Sequence, residues 1–513
     1  MASSTSDGWS GRRRRDTRTK ASVAVLVVMA MLATFLVGPA AAKAKKSKRN
    51  ETTTATTAEP TVAAAVDDSA RTEIDAGYDA VAELGSLYNV VNQIGARELW
   101  AAGITGEGVD VAVIDTGVAP VPALTGADKV VAMVDLTSEA AIPEAQYLDT
   151  NGHGSHMAGI IAGRDPGADP ATAADRPGQF LGVAPGAGIV SVKVGDNTGA
   201  VAVSQVIAGI DWVVQHRNAG DLNIRVINLS YGTDSTQDYR IDPLARAVEN
   251  AWEHGIVVVA ASGNDGWNNS SGGLTSPAFD PYVIAVGASE ATERGMTIPK
   301  WASAGSYFSL DENGKRVNYW EDGYTGRLPD VVAPGAHIDS LRVPGSRVAA
   351  EHPEGFLTET RFRGSGTSQA AAVVSGAVAL LLEARPELTP DEVKASLADT
   401  AVPIQGWGEV FQGHGLIDIY HAAKAPTTGA VQTWDRSSGL GSLEAARGTQ
   451  HVTIDGNALT GEITVTGNAW NPEAWVKAST LGSSWTGSSW TGSSWTGSSW
   501  TGSSWTGSSW TGS

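Results

Sequence analysis

The sequence predicts a doubly wound, mostly parallel α/β domain with helices on both faces of its sheet. Two observations predict it. Short β-branched runs alternate with helical stretches between Leu87 and Lys424. Those runs are near-continuously apolar, as expected of strands buried on both faces, rather than alternating apolar and polar. Strand–helix alternation builds a parallel sheet and leaves ligand sites at the carboxyl ends of its strands.

Taken in order, the expected strands are Val109–Asp115, Gly188–Val194, Arg225–Ser230, Gly255–Ala261 and Tyr282–Gly287. The helices between and after them are Ser204–Gln215, Pro243–His254 and Gln369–Ala384. A further helix opens at Thr389-Pro390-Asp391-Glu392, with Thr as N-cap, Pro at N1 and Glu at N3.

Composition narrows the classes. The chain has 513 residues, 42 % hydrophobic and 18 % charged, so it is not disordered throughout. Its net charge of −19 argues against nucleic acid as a partner, because phosphate binding needs a basic footprint. Zero cysteines exclude disulfides, cysteine–zinc sites, iron–sulfur clusters and thiol nucleophiles.

The flanks differ from this domain. Residues 1–42 are expected to be a signal peptide: Arg12–Arg15, Arg18 and Lys20 precede the uncharged apolar run Ala21–Val37, and Pro39-Ala40-Ala41-Ala42 follows. The alternative is a retained membrane anchor, since the run approaches the ~20 residues that span a bilayer. Residues 43–86, rich in Thr and Ala, read as a linker or short propeptide; residues 87–424 are the α/β domain. Residues 425–478 read as a small β-rich module, from short alternating runs such as His451–Ile454 and Glu462–Val465. Residues 479–513 form a tail of Ser-Ser-Trp-Thr-Gly repeats, expected to be disordered alone. Its Trp faces suit contact with a cell wall or polysaccharide; the competing reading is a low-complexity expansion without a ligand.

Three segments carry candidate chemistry, and each has an ordinary explanation. Asp115 ends a buried strand, where an Asp is commonly a turn former. His153 and His156 stand in Asn151-Gly152-His153-Gly154-Ser155-His156, a spacing that metal ligands also use. No zincin Glu lies between them. Ser368, in Gly364-Ser365-Gly366-Thr367-Ser368-Gln369-Ala370, stands where a helix begins and could be a plain cap. That helix N-terminus would also turn free N–H groups and a positive dipole end toward an oxyanion. Together the three supply an acid, a base and a nucleophile in the chain order Asp, His, Ser. A G-x-S-x-G elbow is absent.

Taken together, these segments resemble the subtilisin-like serine proteases (subtilases), and the resemblance runs from about Leu87 to Lys424. Further segments in family order strengthen the resemblance: Gly182–Pro185, Asn228-Leu229-Ser230-Tyr231-Gly232, Ala261-Ser262-Gly263-Asn264-Asp265-Gly266, Ser276-Pro277-Ala278, Tyr282–Ala288 and Asp330–Gly335. The Trp-rich tail resembles those of some secreted bacterial subtilases. The resemblance implies that Ser368 is the nucleophile, His153 the general base and acid, and Asp115 the residue that orients His153. It implies that Asn264 donates to the oxyanion. Ser230, Tyr231 and Gly232 would pair with an extended peptide, and Ala261, Ser262, Gly263 and Thr275 would line the pocket beside the scissile bond.

The expected protein is therefore a secreted serine endopeptidase acting on protein or peptide substrates through an acyl-enzyme. It needs no cofactor and no catalytic metal, and a monomer is expected. The alternative is a cell-wall or surface binding protein with an inactive protease-like domain. Structural calcium is left unassigned, with Asp165, Asp169 and Asp175 as available oxygens. The sequence departs from the family where Gln369, Ala372 and Val373 replace Met, Pro and His behind the serine. Gln369 brings an amide that needs a partner. A loop at about Tyr307–Arg327 is inserted between two family segments.

Overall fold

Strands β1 (Asp110–Asp115), β2 (Val130–Asp135), β3 (Gly188–Lys193), β4 (Ile224–Leu229), β5 (Val257–Ala261), β6 (Ile284–Thr292), β7 (Gly295–Thr297) and β8 (Val331–Pro334) build the central sheet of the computed structural model. Their order is β8-β6-β5-β4-β1-β3-β2, with β7 folded back onto β6. Every pairing along that order is parallel, and only β6–β7 is antiparallel. From β1 the chain moves to one side for β2 and β3 and to the other for β4, β5 and β6. The switch point thus falls at the carboxyl end of β1, where such folds open a crevice.

Residues 77–513 are described here, except 268–272, 306–307, 311–315, 319–326, 455, 487–488, 491–499 and 502–513. The expected signal peptide, most of the linker, most of the inserted loop and most of the repeat tail lie outside the described residues.

Helices α1 (His153–Ala162) and α4 (Thr367–Ala384) cover one face, and α2 (Val203–His216) and α3 (Pro243–Glu253) the other. Helix α4 is buried from Thr367 to Leu382 and packs on α1, β4, β5 and β6. Its apolar run is long enough to cross a membrane, but here it is the core helix. Local sequence sets the helix starts. Asp242 Oδ1 caps α3 by accepting from the Leu244 and Ala245 N–H groups at 2.8 and 3.1 Å. Helix α5 (Pro390–Thr400) opens with the expected reciprocal box: Thr389 Oγ1 accepts from Glu392 N–H and Glu392 Oε2 accepts from Thr389 N–H.

Two flanking regions differ from expectation. Residues 77–86 are part of the domain: Ser86 is fully buried and caps the helix Leu87–Gln93, and Gly85 C=O accepts from Asp339 N–H at 3.0 Å. The segment 425–478 holds the two-residue pairing Thr453–Ile454 with Asn457–Ala458, and also two helices, α6 (Leu443–Arg447) and α7 (Pro472–Thr480). Its alternating runs are too short to bury a sheet of their own. They pack instead onto the domain, with Val452 and Val465 against Ala200 and Ala202. Trp475 Nε1 donates to buried Asp211 Oδ2 at 2.8 Å, and Leu443, Trp470 and Trp475 join the main core.

Candidate active site

Asp115, the last residue of β1, is fully buried at the switch point. Its Oδ1 accepts from Thr116 N–H at 2.7 Å. His153, the first residue of α1, places Nδ1 2.8 Å from Asp115 Oδ1 and 3.0 Å from Oδ2. A carboxylate only accepts, so the imidazole proton sits on Nδ1 and Nε2 is the basic nitrogen. The glycine beside the histidine makes this approach possible: a Cβ on Gly154 would stand 2.2 Å from Gly117 O.

Asp149, which the sequence reading passed over, anchors this corner. Its Oδ1 accepts from Gly152 N–H at 2.7 Å and from Thr116 Oγ1 at 2.9 Å, and its Oδ2 from Ser155 N–H at 2.7 Å. It therefore takes up free N–H groups around the start of α1 and ties them to the turn after Asp115. Complete burial pushes its carboxyl above the ordinary carboxylate range. Its only signal was an acid just ahead of Asn-Gly-His at a helix start, a common arrangement in any sequence.

Ser368 is the second residue of α4 and 5 % exposed. At that position its N–H has no acceptor within the helix, and the positive end of the helix dipole is beside it. Asn264 lies across from it. Its Oδ1 accepts from Thr367 N–H at 2.9 Å and Thr367 Oγ1 at 3.0 Å, so its amide NH2 is the end not spent on Thr367. Thr367 Oγ1 in turn accepts from Gly263 N–H at 3.1 Å. Thr367 is a second residue that the sequence reading left without a role; it orients the Asn264 amide.

The expected substrate residues come together around these. Ser230 Oγ donates to Ser368 O at 3.2 Å and accepts from Asn228 Nδ2 at 3.0 Å. Ala261 ends β5, and Ser262 C=O accepts from Thr275 N–H at 3.1 Å. Gly232 faces Thr275 so closely that a Cβ there would stand 2.4 Å from its Oγ1. Tyr231 is buried, which turns its ring into the domain. The Ser276–Pro277 bond, whose isomer the sequence left open, is cis. Asp265 is at the exposed rim; burial of its carboxyl and the nearby Asp234 charge raise its pKa.

The metal reading of the histidine pair finds no third ligand: among the described residues no three His, Cys, Asp or Glu side chains gather to hold an ion. His156 is buried one turn below His153; burial first, then the neighbouring His153, pushes it down to about 3, so it is a neutral core histidine. The loop acids serve the backbone, with Asp165 Oδ2 accepting from Phe180 N–H and Asp169 Oδ1 from Ala171 N–H.

Gln369 is fully buried behind Ser368, and neither end of its amide has a partner among the described residues. Leaving such a group unpaired costs about 1–3 kcal/mol. Gln369→Met keeps the volume and removes the polar atoms. It is expected to stabilise the fold by that same amount, read as a higher urea midpoint at unchanged m; a lower midpoint would mean that the amide is satisfied.

A buried carboxylate–imidazole pair at the switch point of a doubly wound parallel sheet, with a serine in the first turn of the core helix α4, is the arrangement this fold presents. The model of the subtilase family matches residues 106–441, and the chain belongs to that family of serine-type endopeptidases. It is 35 % identical over 297 residues to the serine protease AprX of Bacillus subtilis (strain 168), covering 57 % of this chain and 61 % of that one. The match thus spans less than two thirds of that relative. It is 32 % identical over 333 residues to subtilisin DY of Bacillus licheniformis, covering 64 % of this chain and 96 % of that one. Among solved structures it is similar to fervidolysin from Fervidobacterium pennivorans, a keratinolytic enzyme related to subtilisin. That likeness has a TM-score of 0.49 and 27 % identity, and covers 66 % of this chain and 46 % of that one.

Proposed function

We propose that this chain is a secreted serine endopeptidase that cleaves protein or peptide substrates through Asp115, His153 and Ser368. The observation that carries the reading is the 2.8 Å approach of His153 Nδ1 to Asp115, which leaves Nε2 as the base. An extended peptide adds to the edge Ser230-Tyr231-Gly232 by backbone hydrogen bonds, and the pocket of Ala261, Ser262, Gly263 and Thr275 takes the side chain before the scissile bond. His153 removes the Ser368 hydroxyl proton as Oγ attacks the carbonyl carbon, and Asp115 stabilises the imidazolium. The oxyanion accepts from Ser368 N–H and the Asn264 amide. A side-chain donor of this kind contributes about 2.7–4 kcal/mol in the transition state, a magnitude set by a subtilisin. The imidazolium then protonates the leaving amine, and a water activated by His153 releases the acyl group from Ser368.

Export is supported by the basic n-region, apolar run and Ala-x-Ala site of residues 1–42. The test is a fluorophosphonate probe on the processed full chain. Covalent labelling that peptide mapping assigns to Ser368 is expected. A folded, processed chain that takes up no probe would mean that the triad is not assembled, and the reading fails.

A further inference from the structure

The edge Ser230-Tyr231-Gly232 continues into residues 233–237, and this continuation is gripped by chain that lies beyond the family-matched residues 106–441. Thr233 Oγ1 donates to Ala446 O at 2.7 Å, and Thr236 N–H donates to Ala445 O at 3.2 Å. The Asp234 carboxylate accepts from Thr449 N–H at 2.8 Å and from Thr449 Oγ1 at 2.6 Å. Gln237 Nε2 donates to Ser442 O at 2.8 Å, and Ser442 N–H returns a bond to Gln237 Oε1 at 3.0 Å.

The grip is close-fitting. Gly448 ends α6 at φ +59°, and a Cβ there would stand 2.3 Å from the Asp234 backbone oxygen. Leu443 and Ala446 are buried, and Arg447 is 1 % exposed, its guanidinium held by Glu444 and by Gly461 O and Ile463 O. On its other side Thr233 exchanges backbone bonds with Ser276 at 3.0 and 2.8 Å, next to Thr275 of the opposite wall. The far end of the edge is tied to the nucleophile's own helix through Ser230 and Ser368. The triad itself sits on β1, α1 and α4, whereas α6 packs on α2 and α3.

We propose that α6 with Gly448 and Thr449 is a clamp that positions the substrate-binding edge, making the C-terminal extension part of the peptide site. The inference rests on the endopeptidase reading of Ser230–Gly232. A substrate bound by strand addition draws its affinity from backbone bonds along the edge, so a shift of residues 233–236 weakens long peptides. A small ester needs little of that edge and reports the triad alone.

The test compares a tetrapeptide anilide with a single-residue ester on the full chain, beside the rate of fluorophosphonate labelling. Gly448→Ala is expected to lower kcat/KM on the tetrapeptide by about tenfold or more, through KM, with the ester and the labelling rate within about twofold. Thr449→Val, which removes only the Oγ1 donor, is expected to lower it about threefold in the same pattern, and it carries the test if Gly448→Ala does not fold. Equal losses on both substrates would overturn the clamp, as a general loss of folded enzyme does that. Unchanged tetrapeptide kinetics in a labelling, cleaving enzyme would overturn the clamp alone. A wild-type chain that neither labels nor cleaves would overturn the endopeptidase reading and the clamp with it.

Discussion

Ser368→Ala lowers kcat on a peptide substrate by about 10⁶-fold, the scale established for the equivalent loss in a subtilisin, while KM moves little. The reason is that the nucleophile, its base and the orienting acid act as a unit, so losing the attacking oxygen idles the other two. In the proposed mechanism what remains is the oxyanion site and the binding edge, neither of which would use the Ser368 side chain: Asn264 is oriented through Thr367, and the donor at Ser368 would be its backbone N–H. The fold is expected to stay, with melting within a few degrees of wild type, because Ala suits the first turn of a helix whose N-cap is Gly366. The check is turnover of a tetrapeptide by repurified variant, beside thermal unfolding. Activity within tenfold of wild type, with the fold intact, would remove Ser368 from the mechanism.

Much of this arrangement was legible in the sequence, for physical reasons that also mark where legibility ends. The five strands read from their apolar runs all exist within a few residues of expectation, because burial on both faces leaves no polar alternation to confuse the period. Three strands of the central sheet escaped: β2, β8 and the three-residue return strand β7. β2 lies at the sheet edge with Val131 and Met133 exposed, although its run Val130–Val134 is continuously apolar in sequence. β8 is four residues long and ends in Pro334, too short for a period to speak. In the site, the expectation for Asp115, His153, Ser368 and Asn264 rests on resemblance to family segments, and the fold adds the contact of Asp115 with His153 and the bonds from Thr367 to Asn264. Asp149 and Thr367 were not legible, since their work is done by hydrogen bonds to backbone and side-chain groups that only the folded chain brings near. The same holds for the clamp: Thr449 reaches Asp234 across 215 residues of sequence, and no local pattern records such a pair.

Asp115→Asn separates orientation from chemistry, and it is expected to lower kcat by about 10⁴-fold with the fold retained. The substitution changes one atom in volume terms but reverses a hydrogen bond. In the native site both carboxylate oxygens face His153 Nδ1, at 2.8 and 3.0 Å, and neither can donate, so Nδ1 must hold the proton. An amide can turn its NH2 toward Nδ1 and its oxygen toward Thr116 N–H, which satisfies every partner Asp115 now has. The imidazole then holds its proton on Nε2, the nitrogen that must accept from Ser368, and the base is lost although every residue is in place. The imidazolium formed during attack also loses its counter-charge in a fully buried site, where that charge is least screened. Stability should change little, because the buried amide finds the same partners without an ion to desolvate. The measurement is kcat alongside the imidazole proton resonance: a Nδ1–H signal present in wild type should disappear in the variant. A variant that keeps that signal and stays within tenfold of wild-type turnover would show that backbone packing around Gly154, and not the Asp115 carboxylate, sets the histidine's tautomer.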